Sequence, residues 1–169
     1  MKKIRLIPAV NDAEIFGIAS LAEEIWNEYF PSILSKPQID YMLEKFQSYD
    51  ALKQQIADGY EYYLISDAHY MMSGYTGYHI EDGAMFLSKL YLLNETRGQH
   101  LSSNTFNELV KICQEKGVKK IWLTCNKYNT HSLDVYKHWG FEIVRDEVTD
   151  IGNGYVMDDH VLEYIVPEV

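Results

Sequence analysis

The chain has 169 residues, 47% of them hydrophobic, and a formal charge of −10 at pH 7. That length suits one domain with a substantial core, and the composition excludes a disordered or low-complexity protein. The acidic balance opposes general nucleic-acid binding, which needs a basic surface to neutralise phosphate; cationic partners fit it better, although solubility alone also accounts for the charge.

Met1-Lys2-Lys3-Ile4-Arg5-Leu6-Ile7 starts as a secretory signal does, but Asn11, Asp12 and Glu14 cut the apolar run short, so secretion is not expected. No apolar stretch approaches the length of a membrane helix, and no membrane partner is expected. Residues from Lys2 to Ile7 alternate as in a strand. Asn11 or Asp12 then caps a helix with Ile18, Leu21, Ala22, Ile25, Trp26 and Tyr29 on one face, which Pro31 ends. A second amphipathic segment follows Ser35, with Ile39, Met42, Leu43 and Phe46 at i, i+3, i+4 and i+7, and a third carries Leu52 and Ile56 before Gly59.

Strands are expected at 60–66, 71–80 and 84–92, joined by connections short enough for antiparallel hairpins. A helix from Leu101 to Lys116 carries Phe106, Leu109, Val110 and Cys113 until Gly117 stops it. The strand that follows, 120–125, must pair in parallel with the strand before that helix through a right-handed crossover. A helix over 129–139, a strand over 141–148 and a last strand over 155–165 complete the order βαααβββαβαββ in a single domain, residues 1–169. Cys113 and Cys125 have no metal-type spacing and read as buried free thiols of a reducing, cytoplasmic compartment. His131, His138 and His160 lack ligand spacing, so no metal is expected.

The segment Arg97-Gly98-Gln99-His100-Leu101-Ser102 lies between an apolar strand and a helix start. Orphan amides and the positive end of the helix dipole make such a turn an anion site, with Arg97 adding a full charge. Strand-to-helix turns with a glycine and an arginine also occur where nothing binds.

The element order and two motifs resemble the GNAT superfamily of acetyl-CoA-dependent N-acetyltransferases over essentially the whole chain. The run Leu92-Leu93-Asn94-Glu95-Thr96-Arg97-Gly98-Gln99-His100-Leu101-Ser102 is similar to that family's phosphate loop, Arg/Gln-x-x-Gly-x-Gly/Ala, except that His100 and Ser102 stand where small residues are usual. The second motif is Leu123-Thr124-Cys125-Asn126, then Asn129, Tyr136 and Gly140-Phe141, which resembles the family's strand, asparagine, tyrosine and Gly-Phe series. Trp26, Tyr41-Met42-Leu43, Phe46, Leu52 and Tyr155-Val156-Met157-Asp158-Asp159-His160 look loosely like the spermidine and diamine acetyltransferase branch. The resemblance implies an α/β acyl-CoA N-acyltransferase fold, a mixed central sheet with helices on both faces.

It also implies a site with acetyl-CoA as co-substrate. The pyrophosphate would sit on the amides of Gly98, Gln99, His100, Leu101 and Ser102, with Arg97 as counter-charge and the His100 side chain pointing outward. The backbone of Leu90, Tyr91 and Leu92 would bind the pantetheine arm and polarise the thioester carbonyl, where ordinary core strand is the plainer reading. Asn129 would donate an amide to the cofactor, or only cap its helix; Tyr136, seven residues on and on the same face, would protonate the departing thiolate, or only pack the core. The family often places a carboxylate on the strand before the loop, but Leu87-Ser88-Lys89 has none, so the proton acceptor falls to Glu28, His79, Glu81 or water. Trp26, Glu28, Tyr29, Tyr41 and Tyr78 are the candidate acceptor-binding residues, aromatic faces beside acids being suited to an ammonium group.

The expected activity is transfer of acetyl to a primary amine of a small molecule or polyamine. Acetylation of a protein or peptide, and acyl-CoA binding without catalysis, are the alternatives; a homodimer is left open.

Overall fold

The computed structural model describes residues 3–169. The expected strand start at Lys2 therefore lies outside the described residues, and the strand observed, β1, spans Arg5–Pro8. Then follow α1 (Asp12–Tyr29), α2 (Lys36–Met42), a π-helical turn (Leu43–Gln47), α3 (Tyr49–Ala57), β2 (Glu61–Ser66), β3 (Met72–Glu81) and β4 (Ala84–Leu92). A 3₁₀ turn (Asn94–Thr96) leads to α4 (Leu101–Lys116), β5 (Lys120–Asn126), α5 (Thr130–Trp139), β6 (Glu142–Gly152) and β7 (Tyr155–Ile165). Strands neighbour one another in the order β1-β2-β3-β4-β5-β7-β6. The sheet is mixed: β4 and β5 are parallel, whereas β1–β2, β2–β3, β5–β7 and β6–β7 are antiparallel. By density of contacts the chain forms two compact units, Met1–His79 with Lys89–Leu109, and Ile80–Ser88 with Val110–Val169.

In the first unit Asn11 is the N-cap of α1, and with Glu14 it forms a capping box: Glu14 N donates to Asn11 Oδ1 at 2.9 Å and Asn11 N donates to Glu14 Oε1 at 3.0 Å. Ile15, Ile18, Ala22, Ile25 and Trp26 are the buried stripe of α1, while Leu21 and Tyr29, expected on it, are half-buried at its margin. The second amphipathic segment departs from its expected α-periodicity. After Met42 it widens into a π-turn, so that Gln47 is buried and Phe46 only half-buried. Gln47 Oε1 accepts the Tyr75 hydroxyl at 2.8 Å, and that buried bond is the local reason the extra residue is accommodated. A further small cluster, Ile65, Leu92 and Leu101 with Ile4, Leu6 and Leu90 against it, joins the end of β4 to the start of α4.

In the second unit Asp82 and Gly83 both have positive φ (52° and 75°), as a two-residue I′ hairpin requires. Asn153 and Gly154 repeat the device between β6 and β7. The β4–β5 ladder pairs Ala84, Met85 and Phe86 with Lys120, Ile121 and Trp122. Several expected boundaries move: β5 continues through Asn126, α5 starts at Thr130 after its cap Asn129, and β6 starts at Glu142 and runs to Gly152 rather than Val148, because the Asn-Gly turn lets it pair with β7 along nearly its whole length. Among the described residues no helix is long and apolar enough to cross a membrane.

Candidate functional site

The loop between β4 and α4 belongs to the first unit. Its ends are pinned by the Ile65, Leu92 and Leu101 cluster, which fixes where the chain leaves the strand and enters the helix. Between them Leu93 N donates to Ser73 O at 2.8 Å, Thr96 N to Leu93 O at 3.0 Å and Arg97 N to Asn94 O at 3.2 Å, so the approach is a closed 3₁₀ turn. Gly98 then takes φ 76° and His100 φ 61°. A Cβ on Gly98 would meet nothing within 4 Å, so the glycine serves backbone handedness and not close packing. His100 adopts the same left-handed region at the strain of a side chain, and it stands exposed. Asn104 N donates to His100 O at 3.0 Å to open α4, and helix geometry leaves the amides of the first turn without intrahelical acceptors. No acid lies in that turn. An anion there would meet backbone donors and the positive end of a 16-residue helix.

Arg97 is not aimed as the sequence suggests. Its guanidinium turns back, donating to Leu92 O at 3.1 Å and Asn94 Oδ1 at 3.0 Å, and it lies 4.9 Å from the centroid of the Tyr29 ring. Arg97 thus clamps the turn in shape, and Tyr29 and Glu28 support it, Glu28 Oε2 accepting from Asn94 N at 3.3 Å. Of the other candidate acceptor residues, Trp26 and Tyr78 are core side chains. Trp26 Nε1 donates to the Tyr75 hydroxyl at 3.2 Å and its ring packs on Phe30 and Tyr91; Tyr78 is 1% exposed, with its hydroxyl 3.4 Å from that of Tyr63, and burial pushes its ionisation upward. Tyr41 is half-buried on α2, with Lys45 Nζ 3.3 Å from its hydroxyl. Leu90 and Tyr91 are half-buried and Leu92 buried at the end of β4.

The segment that lacks the expected carboxylate holds instead a residue the sequence reading passed over. Lys89 is only 7% exposed; its Nζ bonds to the Tyr62 hydroxyl and lies 3.2 Å from Gln55 Oε1, with the rings of Tyr60 and Tyr62 about it. Burial lowers its ammonium to about 7. A lone lysine in an alternating strand carries no sequence signal for this; the surroundings come from α3 and β2.

In the second unit Asn129 is buried and is the N-cap of α5, its Oδ1 accepting from Ser132 N at 3.3 Å. The capping role is therefore present, and it fixes the start of the helix that carries Tyr136. Tyr136 is half-buried near the other end, its ring 5.8 Å from those of Trp139 and Phe141, and Gly140 closes the helix at φ 108°. Cys113 and Cys125 are buried free thiols that burial pushes up to about 11 and about 12, which makes them poor nucleophiles at neutral pH. Where β5, β6 and β7 meet, Lys127 lies 2.9 Å from Asp158 Oδ1 and 3.6 Å from Asp146 Oδ2, and His160 Nδ1 lies 2.6 Å from Asp146 Oδ1.

In chain order, a strand, a left-handed turn and a helix N-terminus are followed by a second strand and a helix that carries Tyr136 and is closed by Gly140. The Acetyltransferase (GNAT) family profile matches residues 18–141, and the chain belongs to that family. It is 27% identical over 96 residues to a candidate ribosomal protein bS18-alanine N-acetyltransferase of Bacillus subtilis, a match covering 55% of this chain and 64% of that protein, so the similarity spans less than two thirds of the relative's length. Among solved structures it is similar to the PaiA N-acetyltransferase of Thermoplasma acidophilum in complex with coenzyme A, with TM-score 0.79, 20% identity, and 98% and 99% of the two chains covered. It is also similar to a single-residue mutant of the spermidine N-acetyltransferase SpeG of Vibrio cholerae, with TM-score 0.67, 15% identity, and 96% and 93% covered. These two likenesses establish the fold.

Proposed function

We propose that this chain is an acetyl-CoA-dependent N-acetyltransferase that acts on a small primary amine of the polyamine class by direct transfer. The carrying observation is the loop 93–101, with left-handed residues at 98 and 100 opening an acid-free first turn of α4. In this reading the pyrophosphate takes the amides from Gly98 to Ser102, and Arg97 acts by holding the turn in shape. The backbone of Leu90, Tyr91 and Leu92 binds the pantetheine arm and the thioester carbonyl, so that the oxyanion of the transition state meets fixed donors. Asn129 caps the helix that presents Tyr136, and the Tyr136 phenol protonates the departing thiolate. Family membership and the PaiA likeness support the co-substrate; the free, unreactive thiols fit a reducing cytoplasm.

Thiol release from acetyl-CoA with spermidine tests this. The parent chain should turn over, and Tyr136→Phe should lower kcat by about 10²-fold or more at saturating amine, the usual range for a general acid. An unchanged rate removes Tyr136 from the role.

A second reading has support of its own: the Bacillus subtilis relative and a structural neighbour from Escherichia coli, at TM-score 0.72 and 12% identity, are named for ribosomal protein S18 alanine acetylation. An alanyl peptide tested beside spermidine separates the two, the higher kcat/KM naming the acceptor class. Acetyl-CoA binding without thiol release across an amine panel would instead point to a non-catalytic acyl-CoA-binding module.

A further inference from the structure

Strand β3 carries two buried glycines, Gly74 and Gly77, and they serve different ends. A glycine inside a strand weakens it, and its use there is a bulge or a close approach. Neither takes the positive φ of Gly98, so at both the gain is room and not handedness. A Cβ on Gly77 would strike only the ring of Tyr62, the residue paired with it on β2. A Cβ on Gly74 would be driven into the backbone of β4: it would overlap the Tyr91 carbonyl oxygen and lie 3.0 Å from Leu92 Cα and 2.8 Å from Leu92 Cδ2.

That crowding has the form of a β-bulge, two residues of one strand against one of the other. The bonds on either side bear it out. Thr76 Oγ1 donates to Lys89 O at 2.7 Å, and Leu93 N donates to Ser73 O at 2.8 Å. Between those bonds β3 advances three residues, from Thr76 back to Ser73, while β4 advances four, from Lys89 to Leu93, so β4 holds one residue more. All of these residues belong to the first unit. A bulge bends its strand, increases the local twist and re-aims the groups it carries. The bend falls on Leu90, Tyr91 and Leu92, the backbone assigned above to the pantetheine arm and the thioester carbonyl.

We propose that Gly74 is a positioning residue for the co-substrate: its missing side chain admits the β4 bend that aims the backbone of Leu90, Tyr91 and Leu92, and Thr76 anchors that bend. This rests on the acetyl-transfer reading and adds to it the residues of β3 that shape the binding strand. With a methyl group at position 74 the Tyr91 carbonyl must move, and the Leu92 N–H moves with it, because a peptide unit is planar and turns as one piece. The turn from Leu93 to Arg97 is closed by its own bonds and carries no such overlap. The effect therefore falls on the arm and the acyl carbonyl and not on the pyrophosphate.

Calorimetric titration of acetyl-CoA and of its nucleotide half, which keeps the pyrophosphate and lacks the pantetheine arm, reads the strand apart from the loop. Gly74→Ala should weaken acetyl-CoA at least tenfold and leave the nucleotide half within twofold of the parent. It should also lower kcat for thiol release by about 10²-fold, the cost of a displacement on the order of 1 Å at a reacting centre. Gly77→Ala, whose methyl group meets a ring and no β4 backbone, should lower Tm and leave both affinities within twofold. If Gly74→Ala does not fold, the anchor decides: Thr76→Val should weaken acetyl-CoA at least threefold against an unchanged nucleotide half, and Thr76→Ser should restore it. Equal weakening of both ligands, acetyl-CoA affinity unchanged in Gly74→Ala or Thr76→Val, the same split in Gly77→Ala, or a parent that binds acetyl-CoA no tighter than its nucleotide half overturns the assignment. If the split is found but the parent releases no thiol with spermidine or an alanyl peptide, the positioning role stands and acetyl transfer falls. If the parent releases thiol and no split is found, acetyl transfer stands and the Gly74 role falls.

Discussion

Lys89 shows how far a single residue's environment departs from its letter. In the sequence it marks only a missing acid; in the fold it is an amine enclosed by Tyr60, Tyr62 and Gln55 whose charge is disfavoured by burial. The unfolded chain holds its proton up to the ordinary value of 10.5, whereas the folded chain releases it near 7. Between those values the unfolded state binds more protons, so stability rises with pH through this window, with a slope approaching about 1.4 kcal/mol per pH unit from this one group. Lys89→Met keeps the length of the stem and leaves Tyr62 bonded to Gln55. Urea unfolding at pH 7, 8 and 9 should find the variant more stable than the parent at pH 7, with the difference shrinking toward pH 9. A difference independent of pH would show that Lys89 is charged in the folded protein. The burial of Asp159, 5% exposed, was hidden from the sequence for a related reason: it comes from the pairing of β5 with β7 and of β7 with β6, which no local pattern encodes.

At the scale of elements, what was legible is what periodicity and punctuation encode. Helix α4 begins and ends where the apolar spacing and Gly117 place it, and β4 and β7 match their expected spans residue for residue. The π-turn was not legible, because its cause is the distant Tyr75 hydroxyl and not the spacing of Leu43 and Phe46. The position of the turn between β4 and α4 was legible but its conformation was not: His100 in place of glycine hid a second left-handed residue, and the turned-back Arg97 has no sequence signature. That conformation makes paired predictions of opposite sign. Gly98→Ala forces a Cβ into φ 76° and should lower stability by about 1–2 kcal/mol, or roughly 2–8 °C in Tm for a chain of this size. His100→Gly removes the same strain and should raise Tm, by less, because glycine gives the unfolded chain more freedom. Thermal melts that shift in the same direction for both would mean that at least one position is not left-handed in solution.

For the molecule as a whole, the proposed co-substrate couples recognition to stability. The loop's amides are aligned only when Ile65, Leu92 and Leu101 are packed and α4 is formed, so the unfolded chain has no equivalent site. A ligand that binds only the folded state stabilises it by mass action, about 2.7 kcal/mol at one hundred times its Kd. For 169 residues that corresponds to a rise in Tm of about 5–11 °C. Acetyl-CoA should produce this shift without any amine present. Tyr136→Phe should retain it while losing thiol release, since a phenol that acts only on the leaving thiolate contributes to the transition state and not to ground-state binding. Gly98→Ala should lose much of it, because the anion loop itself is distorted. A shift abolished by Tyr136→Phe and kept by Gly98→Ala would reverse the division of labour, moving the anchor of the co-substrate from the loop of α4 to helix α5.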